Sequence, residues 1–335
     1  MNFSPELTTG AAVAMAVLAA SMWGTWALSL KYLGGYSLDG YFLSIFIASL
    51  ILVWGTGLLL DGPALIGNLR EVWAVGPERV LLTLLGGMIY VNGIRIQLRV
   101  QRTIGLSLAQ PLQSSISILI GIAIAMFFGG VPEGVSIPAV FVAAGFLVAA
   151  VTAGMVSGIY RSRRTSLEDE LQITIGNLRR SLGQIILVTL LIPAYTFAIS
   201  YGLKSTTQPE GMAVMPFMAM LATGAFLGAC ASSGISLARQ GKLRETFRTP
   251  SRIHALAVFS AVFHYGGNII HTFATAFLSA VISWPLGLTG GLWTQLWGLV
   301  YGEFRGVDRR ALLALGLSIL LYLVGSAVVV HTLYR

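Results

Sequence analysis

Three polar side chains recur at helical spacing in an otherwise apolar stretch. His264, Asn268 and His271 stand at i, i+4 and i+7, so a helix places them on one face. An imidazole titrates near neutral pH, and an amide offers both a hydrogen-bond donor and an acceptor. The spacing predicts a face that exchanges a proton through His264 or His271 and binds a polar group through Asn268. For both histidines the alternative is a structural hydrogen bond between packed helices.

Aromatic and amide side chains in other apolar stretches predict a binding surface for a small polar solute. Asn92, close to Tyr90, suits sugar hydroxyls or nucleobase edges, although it would equally serve as an interhelical hydrogen bond worth about 1 kcal/mol. Trp23 and Trp26 share a helix face and can stack on a sugar or a purine as readily as fill a core. The residues predicted to bind the solute are Trp23, Trp26, Tyr90, Asn92, Gln110, Gln113, Tyr195, Thr196, His264, Asn268, Trp284 and Trp293.

The composition places these residues in a membrane. The chain has 335 residues, of which 56% are hydrophobic and 10% charged, and its mean hydropathy is +0.80. Soluble domains carry about 25% charged residues, so a soluble enzyme, a disordered tail and a nucleic-acid module are excluded. A membrane helix needs about 20 apolar residues, and no β-barrel alternation is present. Ten stretches qualify as helices: Ala11–Leu33, Leu38–Leu60, Val80–Val100, Gly105–Phe128, Val135–Ile159, Ser181–Leu203, Met212–Ser233, Ile253–Ala274, Ala276–Tyr301 and Arg310–Thr332.

The basic residues predict how these spans are oriented. Seventeen of the 21 Lys and Arg residues fall at or near the connections that follow the odd-numbered spans. Basic connections stay on the cytoplasmic side, so both termini are predicted to lie outside a multi-pass protein of the cell (inner) membrane. The same distribution accounts for the net charge of +8 and excludes nucleic acid as a partner.

Two prolines and a row of small residues predict local features of the spans: helix breaks at the prolines and a close helix contact at the small residues. Pro111, between Gln110 and Gln113, and Pro285 each remove a backbone donor. Because such breaks expose backbone carbonyls to a cavity, we predict that both prolines form gates or cavity walls. The small residues at four-residue spacing predict a close helix contact within the monomer or, alternatively, at a dimer interface; they are Gly224, Gly228 and Ser232.

The two halves of the chain contain similar short segments in the same order. Residues 1–160 and 181–335 each hold five spans, joined by a predicted cytoplasmic loop over 161–180. Because five is odd, the second copy is predicted to be inverted, an arrangement typical of secondary transporters; an old duplication kept for stability is the alternative. The similar segments are Thr25–Ser29 with Thr196–Ser200, Tyr90–Ile94 with Tyr265–Ile269, and Pro111-Leu112 with Pro285-Leu286.

Several short sequence motifs, together with this arrangement of spans, resemble those of a known family. They are Trp23-Gly24-Thr25-Trp26, Gly267-Asn268, Trp297-Gly298 and the run Gly302–Arg305. With ten spans and a basic loop after the fifth, the chain resembles the drug/metabolite transporter superfamily. It is most similar there to the glucose/ribose porter, rhamnose–proton symporter and ureide permease branches. The resemblance implies a ten-helix inverted-repeat fold and uptake of a small polar solute coupled to protons or sodium. The central loop lacks the nucleotide-binding-like motif of ureide permeases, so substrate and regulation do not carry over from that branch.

The acidic residues constrain how transport is coupled. All 13 Asp and Glu residues lie in loops or near span ends, with Glu133 and Glu303 nearest the bilayer interior. A buried carboxylate, the usual intramembrane proton carrier, is therefore not predicted, and coupling falls to the histidines. Arg95 lies about a turn inside its span, where snorkelling to the headgroups is favoured over attraction of an anionic group.

These observations predict an all-α, polytopic membrane protein with ten transmembrane helices in two inverted five-helix repeats. We expect a secondary active transporter of a sugar, nucleobase, nucleoside or ureide, working by alternating access with a proton or alternatively sodium. An exporter of the same superfamily, a passive facilitator and a membrane-embedded enzyme are the alternatives, although an enzyme would need clustered charges that are not visible. No enzyme activity, cofactor or metal is expected. The expected partners are the solute and the lipid bilayer, with the chain a monomer or homodimer.

Overall fold

The computed structural model describes residues 7–104, 117–162 and 181–334. Over these ranges the regular structure is helical, apart from two isolated bridges between residues 203 and 212. Eight of the helices are long and apolar enough to cross a membrane. The prediction of an all-α, multi-pass membrane protein is confirmed at this level.

The described ranges hold thirteen helices, numbered here in chain order. Some contain local irregularities: α1 continues as a 3₁₀ segment to Tyr32, and α7 has a turn at residues 192–193. The helices are α1 (Thr9–Thr25), α2 (Leu38–Leu60), α3 (Pro63–Val75), α4 (Pro77–Ile104), α5 (Ser117–Gly129), α6 (Ile137–Ser162), α7 (Ser181–Gly202), α8 (Val214–Arg239), α9 (Leu243–Phe247), α10 (Ser251–Leu278), α11 (Ala280–Gly287), α12 (Gly290–Val300) and α13 (Arg309–His331).

Capping residues and a tight turn decide where several helices begin. The hydroxyl of Ser37 accepts the backbone N–H of Gly40 at 3.3 Å and starts α2, and the carboxylate of Asp308 caps α13 in the same way. After α2, Gly62 adopts a φ of +54°, which favours glycine, and Pro63 then begins α3. The short helix α3 lies in what the sequence predicted to be a plain connection.

The predicted fourth and ninth spans differ from the rest. The fourth is described only from Ser117 onward, so Gln110, Pro111 and Gln113 lie outside the described residues. The predicted stretch Ala276–Tyr301 is divided between the end of α10 and two short helices, α11 and α12. Ser279, at a φ of +68°, separates α10 from α11. Pro285 lies inside α11 and, lacking an N–H, leaves the carbonyl of Val281 without its helical donor; α11 ends two residues later at Gly287.

Helices from the two halves of the chain interleave. α1 packs against α10, α4 against α8, and α6 against α13; α2 contacts both α8 and α10, and α7 contacts α4. The core between them is closely packed and contains large side chains with no exposed surface, such as Tyr41 and Tyr265. Each half therefore depends on the other for its buried surface.

The row of small residues on α8 makes its close contact within the chain, against α4. A β-carbon added at Gly224 would overlap the backbone of Leu84, and one at Gly228 would lie 2.8 Å from the carbonyl oxygen of Met88. The approach is mutual, since Gly87 of α4 faces the backbone of α8 at Leu221. Only residues without a side chain allow two helix backbones to approach this closely.

Candidate functional site

A cavity of about 90 Å³, lined mostly by buried side chains, lies at the centre of the helix bundle. His264 and Tyr90 line it, and each stands at the midpoint of a 28-residue helix, α10 and α4 respectively. The cavity is therefore near the middle of the spans. Seven of the twelve residues predicted to bind a solute line this one cavity: Trp23, Trp26, Tyr90, Tyr195, His264, Asn268 and Trp284.

Flat aromatic rings form much of the cavity wall. Trp26 stacks on the His264 ring at 4.6 Å between centroids and 16° between planes. On the opposite helices the ring centroids of Tyr90 and Tyr195 are 5.4 Å apart, and those of Tyr195 and Trp284 are 6.0 Å apart. Such faces suit the planar or apolar surface of a ring-shaped solute.

Two hydrogen bonds connect helices across the cavity. The indole N–H of Trp23 donates to Oδ1 of Asn268 at 2.8 Å, which joins α1 to α10. The Tyr90 hydroxyl and Nε2 of His264 are 2.6 Å apart, which joins α4 to α10. Both bonds fix the polar side chains of α10 in place.

Three side chains of the cavity lining have polar atoms that make no hydrogen bond within the described ranges. Nδ2 of Asn268, Nδ1 of His264 and Oγ of Ser117 are buried and have no hydrogen-bond partner among the described residues. Buried polar atoms are nearly always paired in folded proteins, and an exception calls for an explanation such as a bound ligand or water. All three residues line the cavity. A polar solute or water in the cavity would satisfy these groups.

The lining described by the structure contains no charged side chain. Within the described ranges there is also no group of three or more His, Cys, Asp and Glu residues placed to hold a metal ion. The chemistry available in the cavity is therefore stacking, neutral hydrogen bonding and titration of one imidazole. A neutral polar solute fits such a surface, because an ion would lose its hydration without gaining a counter-charge.

His271 differs from His264 in its surroundings. Its Nε2 lies 3.1 Å from the Ser283 carbonyl oxygen, which can only accept, so this nitrogen carries the proton. Its Nδ1 lies 3.2 Å from the Tyr195 hydroxyl, which then donates. Both nitrogens are thus partnered, and the ring packs against Trp23 at 4.8 Å without lining the cavity. His264, with one unpartnered nitrogen, is the better placed of the two to meet a solute.

The remaining predicted residues lie elsewhere. Asn92 donates its amide to the Met88 carbonyl of its own helix at 2.7 Å. Thr196 is fully buried outside the cavity lining. Trp293 lines a separate groove on the side of the bundle. Pro285 is buried in α11, next to the cavity residue Trp284.

Two polar cavity residues were missed by the sequence interpretation, along with the apolar Ile94, Ile192 and Leu288. Gln97 lies between arginines that indicated a membrane surface, and Ser117 lies within an apolar run. Gln97 was detectable, because it follows Tyr90 by seven residues and therefore shares its helix face. Ser117 carries no comparable signal, since a single serine is common in membrane helices.

Two clusters of charge lie at one end of the bundle. Asp39 accepts hydrogen bonds from Arg95 at 2.8 Å and from Arg99 at 3.1 Å, and from Ser233 at 3.0 Å. Arg95 therefore does not snorkel as favoured from the sequence, because a carboxylate at the start of α2 lies within its reach and replaces the headgroup region as its partner. The second cluster includes Lys31, at the end of the first span. Only a short connection separates that end from Asp39, so the two clusters lie at the same end of the bundle.

Glu303 is the centre of the second cluster. It forms ion pairs with Lys31, from the end of the first span, and with Arg161, from the end of α6. Burial alone would raise the pKa of Glu303, but the hydrogen bonds and positive charges of Lys31 and Arg161 hold it below the ordinary value of 4.5. The carboxylate thus joins three separate elements at this end of the bundle.

The lowered pKa of Glu303 predicts a loss of stability in acid. A carboxyl group whose folded pKa is depressed stabilises the fold above its unfolded pKa, and this stabilisation is lost as the pH falls through the folded pKa. We expect the melting temperature of the wild type to fall below pH about 4.5 and that of Glu303→Gln to fall less over the same range. At neutral pH the variant should be less stable by about 1 kcal/mol, because two cations lose their partner.

The matched control is Glu210→Gln at the opposite end of the bundle. Glu210 is 71% exposed and pairs with Arg79 at 3.4 Å, and exposed pairs contribute little to stability. This variant should follow the wild type across the pH series. Equal acid sensitivity of Glu303→Gln and the wild type would contradict the role given to Glu303.

Comparisons with known proteins reveal the fold but no family. No protein-family model matches the chain, and no curated protein matches its sequence. A solved crystal structure of a protein without a stated function has a TM-score of 0.56 to this chain at 13% sequence identity. The match covers 96% of this chain and 96% of the other. At this identity the likeness concerns the fold alone, and it shows that a similar fold occurs in another solved protein.

Proposed function

We propose that the protein is a secondary active transporter that carries a small, neutral polar solute through the central cavity by alternating access. The observation that carries this proposal is a cavity at the middle of the spans whose lining leaves Asn268, His264 and Ser117 with buried, unpartnered polar atoms. Sugars, nucleobases, nucleosides and ureides all offer the ring faces and the hydrogen-bonding edges that such a lining would bind. Membership of the drug/metabolite transporter superfamily remains part of the same proposal.

The packing of the helices supports two inverted repeats of five spans. We pair α1, α2, α4, α5 and α6 of the first half with α7, α8, α10, the α11–α12 unit and α13 of the second. If each helix is replaced by its counterpart in the other half, the α1–α10 contact corresponds to α7–α4. The α4–α8 contact corresponds in the same way to α10–α2, and both of these contacts are observed. The α1–α12 contact likewise has its counterpart between α7 and α5. The cavity draws its lining from both halves, as expected for a site between repeats.

The size of the cavity supports a cycle with more than one state. Its volume of about 90 Å³ corresponds to roughly three water molecules at about 30 Å³ each, and a cavity of about 150 Å³ is known to hold benzene. A single ring of a sugar or nucleobase therefore needs a wider cavity than this one. The Asp39 and Glu303 clusters join helices at one end of the bundle, and their separation would open that end.

Proton coupling rests on His264 in this proposal. Its ring reaches the cavity and retains one unpartnered nitrogen, while the described lining offers no carboxylate that could carry the proton instead. If Nε2 donates to the Tyr90 hydroxyl, Nδ1 of the neutral ring is an acceptor and protonation turns it into a donor next to the bound solute, so solute and proton would affect each other's affinity. Sodium remains the alternative coupling ion.

Uptake into liposomes tests the function and its coupling together. Purified protein is reconstituted, and the accumulation of radiolabelled glucose, uracil, uridine and allantoin is measured with and without an inwardly directed proton gradient. We expect one of these solutes to accumulate above its external concentration only with the gradient, and His264→Ala to abolish accumulation. Accumulation that is unchanged without a gradient, or a fully coupled His264→Ala variant, would contradict proton coupling; equilibration without accumulation in every condition would indicate a passive facilitator.

A further inference from the structure

A second, larger concavity lies on the side of the bundle, away from the central cavity. It is a groove of about 630 Å³ between the first span, α10 and α12. Its walls are mainly apolar and aromatic, and Val300 at its edge is 71% exposed. Residues that define it include Leu28, Phe259, Phe263, Trp293, Leu296 and Val300.

The length of the groove matches one leaflet of a bilayer. On the first span its lining runs from Ser21 to Tyr32, which is about 17 to 20 Å of α- and 3₁₀-helix. Half of a hydrocarbon core of about 30 Å is about 15 Å. Ser21 lies near the middle of the span and Tyr32 at its end, so the groove extends from mid-membrane to the interface.

Polar groups collect at the interfacial end of the groove. The hydroxyls of Tyr32 and Tyr301 are 2.9 Å apart, and tyrosines are enriched at the level of lipid headgroups. The guanidinium of Arg252 reaches the Tyr32 carbonyl at 3.4 Å and has no acidic partner among the described residues. Nearby Lys31 lies over the Tyr301 ring and is ion-paired with Glu303, whereas Arg252 has no such pair in the part of the chain that the structure describes.

We propose that this groove is a binding site for an anionic phospholipid, with an acyl chain along the apolar walls and the phosphate beside Arg252 and the two tyrosine hydroxyls. An apolar groove between membrane-spanning helices faces lipid, so an acyl chain is the chemistry that fills it. The uncompensated charge of Arg252 selects the headgroup, because one basic residue near the surface favours an anionic lipid about fivefold. This site is separate from the central cavity and does not depend on the transported solute.

Native mass spectrometry on the full-length, delipidated protein tests the site. Phosphatidylglycerol and phosphatidylcholine with identical acyl chains are titrated separately, and we expect the anionic lipid to bind about fivefold tighter. Arg252→Gln should reduce phosphatidylglycerol to the affinity of phosphatidylcholine. Leu296→Trp, which fills the groove, should weaken both lipids.

Arg244→Gln is the matched control, because Arg244 is an exposed arginine of the same basic connection, whereas Arg252 is the one that bonds the groove residue Tyr32. It should keep the full preference for phosphatidylglycerol. A preference that survives Arg252→Gln, or lipid binding that is unchanged in Leu296→Trp, would overturn the proposal. A lipid-free dimer that dissociates on Leu296→Trp would overturn it as well, because the occupant would then be a second copy of the chain.

Discussion

Replacing Asn268 with leucine is expected to raise the KM for the transported solute by about 10- to 100-fold. Leucine is close in size to asparagine but removes the unpartnered Nδ2 donor that lines the cavity. It also removes the acceptor of the Trp23 indole, which is then left buried without its partner. The measurement is the initial rate of uptake into liposomes over a range of concentrations of the solute identified by the panel.

Asn92→Leu is the matched control for this change. Asn92 is an asparagine at a similar depth in α4, but its amide bonds the Met88 carbonyl of its own helix and does not line the cavity. The same substitution there should leave KM within about twofold. If both variants lost affinity equally, or if Asn268→Leu kept the wild-type KM, the central cavity would not be the binding site.

The second large effect is expected at the contact between α4 and α8. Gly224→Val places a branched side chain where its first carbon already overlaps the backbone of Leu84. The two helices would have to separate along their length, at a cost of about 3 kcal/mol or more. We expect most of this variant to be lost as aggregate on extraction in detergent, and the remainder to melt at a lower temperature.

Gly145→Val separates this steric effect from the general cost of valine in a helix. Gly145 lies within α6, and a β-carbon there would meet nothing within 4 Å. Because both changes replace a helical glycine with the same residue, the propensity effect is shared. Gly145→Val should yield monodisperse protein close to the wild type, and similar losses for the two variants would exclude the close contact as the cause.

The spans were largely predictable because the bilayer fixes the length of an apolar helix. The prediction Leu38–Leu60 coincides with α2. The prediction of the ninth span was less accurate, because a hydrophobic pattern does not show where the helical backbone is interrupted. Pro285 indicated an interruption, but the positive φ of Ser279 that ends α10 depends on packing.

The site was predictable only in part, because the sequence does not reveal how each helix is rotated. Asn268 and Asn92 are the same residue type at similar depth, yet one lines the cavity and the other bonds its own backbone. Spacing within one helix identified His264 and Asn268 together. Partners from distant helices, such as Asp39 for Arg95, left no trace in local spacing.

The absence of charge from the described cavity lining also has an electrical consequence. A neutral solute that crosses with one proton on His264 moves one positive charge per cycle. A membrane potential of about 100 mV, negative inside, then contributes about 2.3 kcal/mol to each inward cycle, which corresponds to about a 50-fold concentration ratio. Because the described lining holds no fixed charge, the loaded cavity would carry the positive charge and the empty one none, so the voltage would act on the step that moves solute and proton inward.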